Sequence, residues 1–387
     1  MSKPRKSASA SPSLSARPSS SAPAAVLAAE PGPDAAPAQQ QLISQRKADH
    51  LALCASGEVE FRAKATLLDQ VQLVHDALPD RHVDEVDLTT TVLGKRLAAP
   101  IMISGMTGGT DEAQALNRDL ARAAEQLGLG FGLGSQRAMV IRPETARTYE
   151  VRDVAPTMLL LGNLGLVQAR EMTTAQVREI VKRVGADALC VHLNPAMELI
   201  QPGGDRDFRS GRDVLRRLHE ELGVPVIVKE TGCGLSRRVG LMVRELGIGA
   251  VDVSGAGGTS WVGVETRRAE AETRALGEEL WDWGIPTAAS IGLLGDLGLT
   301  IIATGGVRTG MDVAHALALG ATLGGLAAPV LRAHKAGGYE GAVRFLQHVI
   351  DGVRAVTFLA GCRTPGELRY APRVLGSTLR AWLTEAR

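Results

Sequence analysis

The chain has 387 residues, a formal net charge of +1, 45% hydrophobic and 22% charged residues, and 44 Gly against five Phe, four Trp and three Tyr. Rings this scarce and a charge this close to neutral exclude the stacking platforms and basic excess on which nucleic-acid binding rests. No apolar run approaches the roughly 18 residues of a membrane span, and Cys54, Cys190, Cys233 and Cys362 are too dispersed for a disulfide framework or a zinc site, so a reducing, cytoplasmic location is expected.

Residues 1–40 hold 11 Ala, 9 Ser and 7 Pro. Without an apolar period such a segment buries too little surface to offset its ordering entropy, and it is read as a disordered tail. Its basic, Ser-rich start also fits an organelle transit peptide, against which Glu30, Asp34 and the prolines weigh. Residues 41–387 are read as one domain. It opens with QRKADHLALCA (45–55), predicted as a helix or ordered arm, followed by VDEVDLTTTVLGKRLAAP (83–100), predicted as a strand or hairpin covering what comes next.

Eight short apolar runs then end in small or polar residues. They are APIMIS (99–104), GFGLG (130–134), TMLLLGN (157–163), ALCVHLN (188–194), PVIVKE (225–230), AVDVSG (250–255), TIIATGG (300–306) and ATLGGLAA (321–328). Runs of four to eight apolar residues without alternation fit strands buried on both faces, as in parallel sheets. Helical periodicity separates most of them. DEAQALNRDLARAAEQLG (111–128) opens with Asp111 as a candidate N-cap and closes at Gly128, and TTAQVREIVKRVG (173–185) has the same form. The pattern predicts an α/β fold, a (β/α)8 TIM barrel with an N-terminal arm and C-terminal helices, with a doubly wound sheet as the alternative. The insertion 264–298 is predicted helical with a lid-like portion near Gly292–Gly298, and 341–361 as a C-terminal helix.

A barrel places its active site at the C-terminal strand ends. Those ends carry Ser104, Met106 and Thr107, then Ser135, Gln136 and Arg137, then Asn163, His192 and Asn194, Lys229 and Glu230, and Ser254 and Thr259. In TGGVRTGMDVAHALALGATLGGLAAP (304–329), Gly305 and Gly306 let amides approach an oxyanion, Arg308 adds a forked donor, and the helix near Met311 points its positive end the same way. Gly324–Ala328 would close the cup. Lys229 on a buried strand calls for an anion; it suits a Schiff base, a cation beside a flavin ring, or an ion pair with Glu230. Thr107, Ser135, Asn163 and Thr259 offer hydrogen bonds to a flat polar ring, which favours the flavin.

These segments resemble the type 2 isopentenyl diphosphate isomerases. RKADH (46–50), MTGGT (106–110), GSQR (134–137), GNLG (162–165), HLNPAMELIQPGGDRDF (192–208), VKETGCG (228–234), SGAGGTSWVGVETRR (254–268), WGIPT (283–287) and TGGVRTG (304–310) carry the resemblance across nearly the whole body. The HG-x-R signature of the hydroxy-acid oxidases, which share this phosphate cup, is absent. The resemblance implies interconversion of isopentenyl and dimethylallyl diphosphate with reduced FMN, NAD(P)H and Mg2+, in a homo-oligomer of four or more chains. It implies FMN contacts from Ser104, Gly105, Met106, Thr107, Ser135, Asn163, Lys229, Ser254, Thr259, Gly305, Gly306, Arg308, Ala327 and Ala328. It implies substrate contacts from Arg46, Lys47, His50, Ser135, Gln136 and Arg137, Mg2+ on Glu198, and catalytic roles for Lys229 and His192. Two positions depart from the family. Met197 stands where a substrate-contacting Gln is usual, and Gly203 replaces a Glu. Met cannot relay a proton, so another FMN-dependent barrel enzyme is the alternative function.

Overall fold

The computed structural model describes residues 49–386 apart from Leu51. The tail read over 1–40, and Arg46 and Lys47, lie outside those residues. Eight parallel strands form a closed barrel. They are β1 (Ile101–Ile103), β2 (Gly130–Gly132), β3 (Leu160–Gly165), β4 (Ala188–His192), β5 (Val226–Lys229), β6 (Ala250–Asp252), β7 (Thr300–Ala303) and β8 (Leu323–Leu326). The ring closes where Gly324 of β8 pairs with Ile101 of β1. The strand interiors are apolar because both faces are covered. Ile101, Ile103, Val226, Val228, Val251 and Ile301 are all buried.

Helix boundaries follow from capping chemistry. α1 (Asp111–Leu127) starts where the Thr110 hydroxyl accepts from Ala113 N–H, so the cap sits one residue before the Asp111 expected from the sequence. Asp111 instead opens the first turn, where its charge meets the positive end of the helix dipole. The helix stops at Gly128, whose φ of 65° is the left-handed conformation glycine adopts without strain. Leu116, Leu120 and Ala124 repeat every fourth residue and face the barrel. Burying each leucine contributes roughly 1.5–3 kcal/mol. α2 (Thr174–Val184) begins in a reciprocal capping box between Thr173 and Gln176. α3 (Gly211–Glu221), α4 (Arg237–Glu245), α5 (Thr287–Leu294), α6 (Gly310–Ala318) and α7 (Ala328–Leu359, broken by a kink at Gly337 and Gly338) follow β4 to β8. After β2 the crossover is only a short helix, Arg137–Ile141, and a 3-10 turn, Pro143–Thr148.

The segment expected to cover the barrel does so from below. Thr90–Val92 and Lys95–Leu97 form an antiparallel hairpin, and Val92 and Leu97 pack with Met102, Leu161, Ala188, Ile227 and Leu323 inside it. The lid expected near Gly292–Gly298 is not one. Leu293, Leu294 and Leu297 are buried, and a Cβ on Gly292 would strike Leu383 of the C-terminal helix Ser377–Glu385. Alternation of glycine with leucine here serves close helix packing. With the bottom plugged and that flank packed, the C-terminal strand ends remain as the open face.

Candidate active site

A cavity of about 250 Å3 occupies that face. Ser104, Gly105, Met106, Thr107, Ser135, Arg137, Asn163, His192, Lys229, Ser254 and Thr259 all line it, as do Gly305, Gly306, Arg308, Ala327 and Ala328. His50 reaches it from the N-terminal arm, whose residues 49, 50 and 52–56 are helical. The expected convergence of strand ends is therefore present.

Along one wall, buried polar groups link successive strands. His192 Nδ1 lies 2.8 Å from Asn163 Oδ1. An amide oxygen only accepts, so Nδ1 carries the proton and Nε2 is the acceptor. Burial, then the charges of Lys229 and Arg137, lower the His192 imidazole from 6.5 to about 4, so it is neutral at pH 7. Lys229 Nζ lies 2.9 Å from Asp252 Oδ2. Asp252 Oδ1 accepts from Thr304 Oγ1 at 2.5 Å and from Ser254 N–H at 3.2 Å. The ion pair between Lys229 and Glu230 is not formed. Adjacent strand residues face opposite ways, and Glu230 turns out of the barrel to accept from Thr231 N–H and Cys233 N–H, each at 2.5 Å. Burial pushes its carboxyl up to about 7 against the pull of those donors and of Lys229. Sequence reasoning missed Asp252, although AVDVSG put an acid in the strand beside Lys229.

At the other end of the cavity the loops after β6 and β7 meet backbone to backbone. A Cβ on Gly258 would lie 2.4 Å from Gly306 N, one on Gly306 2.6 Å from Gly257 O, and one on Gly305 2.1 Å from Gly255 O. Gly305 and Gly306 also hold φ of 97° and 73°. Only glycine builds this floor. The helix end beside it is α7, whose first turn has no side-chain cap. Here the structure corrects the expectation for α6. Thr309 Oγ1 accepts from Asp312 N–H, and Asp312 Oδ2 accepts from the Arg308 and Thr309 amides, so these three amides already have acceptors; Met311 faces solvent. Arg308 is engaged as well, on Gly306 O at 2.9 Å and Glu60 Oε2 at 3.1 Å. Glu60 also takes Arg332 Nη2 at 2.6 Å. One carboxylate thus bridges two guanidinium groups at the cavity edge, which shows that they can share an anion. Two buried hydroxyls, Ser104 Oγ and Thr231 Oγ1, have no hydrogen-bond partner among the described residues, and both residues line the cavity. Unpaired buried hydroxyls are costly unless a ligand satisfies them.

The remaining wall is cationic and acidic. His50 Nε2 lies 2.8 Å from the fully buried Glu265, and its ring meets Trp261 edge-on at 5.2 Å. Arg137 Nη1 is 3.8 Å from Asp205 Oδ2, which also accepts from Gln168 Nε2 at 2.8 Å. Glu198 is buried at the cavity wall, held by Asn194 Nδ2 at 2.7 Å, Asp205 N–H at 2.8 Å and Gln201 Nε2 at 3.1 Å. Among the described residues no three His, Cys, Asp or Glu side chains cluster to hold a metal. Met197 lines the cavity next to Glu198. Gln136 does not line it. Its side chain is fully buried, and Oε1 accepts Asn163 N–H at 2.8 Å. It is a brace under the site rather than the substrate contact expected from GSQR.

Among the described residues no helix is long and apolar enough to cross a membrane. The model for FMN-dependent dehydrogenases matches residues 38–199 and 194–373. An isopentenyl-diphosphate delta-isomerase of Methanothermobacter thermautotrophicus is 43% identical over 89% of this chain and 97% of its own. That of Pyrococcus horikoshii is 42% identical over 90% and 96%. Solved structures share the fold at lower identity. A flavocytochrome b2 variant with pyruvate bound superposes with a TM-score of 0.65 at 21% identity over 89% of this chain and 87% of that one. For a Pediococcus acidilactici lactate oxidase the TM-score is 0.62 at 18% identity over 87% and 94%.

Proposed function

This chain belongs to the isopentenyl-diphosphate delta-isomerase family, and on that premise we propose that it interconverts isopentenyl and dimethylallyl diphosphate with reduced FMN. The observation that supports this most is that one cavity is lined both by the glycine floor and by Asn163, His192 and Lys229, the first two hydrogen-bonded and the last paired with Asp252 behind it. The residues suit FMN. The Gly258, Gly305 and Gly306 amides and the uncapped end of α7 at Ala327 and Ala328 would hold its phosphate. Ser104, Thr107, Ser135, Asn163 and Thr259 would hold the ring, with Lys229 beside it. Because an alkene is only weakly basic, reduced FMN supplies a proton donor and an electron-rich ring to the double-bond shift.

The protein's own groups do the rest. Arg137 and His50, with Arg46 and Lys47, bind the diphosphate. Neutral His192 keeps Nε2 as an acceptor, while Asn163 fixes its ring. Glu198 is assigned to Mg2+. One carboxylate oriented by three donors suits an ion that takes its other ligands from water and phosphate. NAD(P)H is the proposed reductant, the chain a cytoplasmic homo-oligomer of four or more copies, and its mass by light scattering tests the assembly. The test of function is turnover of either diphosphate by purified protein with FMN, NADPH and Mg2+. Met197 favours a second reading, a different FMN-dependent reaction on the same barrel. No turnover in the natural chain, with turnover in Met197→Gln, would show that this chain has left the isomerase reaction.

A further inference from the structure

Lys229 and Asp252 are directly opposed in the register of β5 and β6, with side chains only 11% and 4% exposed. Two buried charges attract at the cost of desolvating both, and an apolar pair of the same size is often as stable. Stability alone does not account for this pair. The carboxylate is also held by Thr304 Oγ1 and Ser254 N–H, one strand and one turn away, so its position is over-determined. Its consequence is electrostatic. The wall facing the cavity at β5 carries an ammonium and a carboxylate 2.9 Å apart, a dipole with no net charge, where Lys229 alone would present a full positive charge. His192, opposite Lys229 in the next strand, is neutral and adds nothing.

We propose that Asp252 is a positioning residue that moderates the charge Lys229 presents to the flavin, and so sets the preference of the site for reduced over oxidised FMN; this rests on the flavin reading above. An undivided ammonium would favour the anionic reduced ring more strongly. The quantity to measure is the ratio of dissociation constants for oxidised and dithionite-reduced FMN, taken anaerobically by fluorescence and absorbance titration. Asp252→Asn keeps the shape and removes the charge, and should raise the preference for reduced FMN by about tenfold, equivalent to about 30 mV for a two-electron couple. Lys229→Met should lower it by a similar factor. The double variant, like the natural pair, has no net charge, and its preference should return to within about threefold of the natural chain. A purely structural role would weaken both forms of FMN together and leave the ratio alone.

An unchanged or lowered ratio in Asp252→Asn overturns the proposal, as does a double variant that keeps the full effect of either single change. Should Asp252→Asn not fold, Thr304→Val serves. It leaves both charges but strips a donor from Oδ1, so the carboxylate opposes Lys229 more strongly and the preference should fall about two- to threefold. No shift there overturns the proposal. If the natural chain binds neither form of FMN, the flavin reading itself fails. If it binds both and the ratio does not respond, the Asp252 proposal alone fails.

Discussion

Replacing Gly258 with alanine tests whether the phosphate floor is backbone pressed on backbone. A Cβ there would lie 2.4 Å from Gly306 N and 2.7 Å from Gly306 Cα, whereas ordinary contact begins at 3.4 Å. The loops after β6 and β7 must therefore separate by the difference between 3.4 and 2.4 Å, and neither obstacle is a side chain that can rotate aside. Forcing a methyl group into packed structure costs about 1–3 kcal/mol. The displacement falls on the amides assigned to the phosphate, so FMN affinity should drop about 10- to 100-fold, each factor of ten being about 1.4 kcal/mol. Gly249 is the control. It precedes β6 at the other end of the same strand, with nothing within 4 Å of its Cβ position and no positive φ. Gly249→Ala should be neutral or stabilising by up to about 1 kcal/mol, through the entropy of the unfolded chain. Urea unfolding gives the stabilities and quenching of flavin fluorescence the affinities. FMN bound by Gly258→Ala as tightly as by the natural chain would refute the reasoning.

Two further outcomes follow from the buried polar groups. His192, lowered from 6.5 to about 4, binds its proton more weakly in the folded chain, so it costs stability as pH falls from 6.5 towards 4. Glu230, raised from 4.5 to about 7, binds its proton more tightly when folded and adds stability as pH falls from 7 to 4.5. Their slopes oppose each other over the shared window, so Glu230→Gln should make stability fall more steeply on acidification than in the natural chain; parallel pH curves from urea unfolding would contradict this. Gln136→Leu leaves Asn163 N–H buried without its acceptor and should cost about 1–3 kcal/mol. Because the side chain faces away from the cavity, KM for the diphosphate should not change, and a raised KM at unaltered stability would restore Gln136 as a substrate contact.

Much of the barrel was legible because parallel strands covered on both faces stay apolar until their last residue, which makes His192 and Lys229 conspicuous. What was not legible depends on facing. Gln136 lies between two cavity residues, Ser135 and Arg137, yet is buried beneath them. Lys229 and Glu230 are neighbours in sequence and point apart. Asp252 belongs to the site because it lies opposite Lys229 in the register of the neighbouring strand, a relation set by the pairing of β5 with β6. Once strand alternation is applied, an acid in AVDVSG is the available partner for an inward lysine.

The two helix ends beside the glycine floor show a different reason why residue type alone misleads. GGVRTG looks like the anion site because glycines and an arginine precede a helix. The same stretch continues Thr309–Gly310–Met311–Asp312, and threonine followed three residues later by an acid is a capping box. Its hydroxyl and carboxylate already take the Arg308, Thr309 and Asp312 amides, leaving fewer for an anion. LAAP, entering α7, has no side chain able to do this. A phosphate needs donors that folding leaves unpaired. Where two helices open onto one cavity, the presence or absence of a capping side chain therefore decides which end can hold the ligand, and the glycines decide only how closely the backbone can approach it.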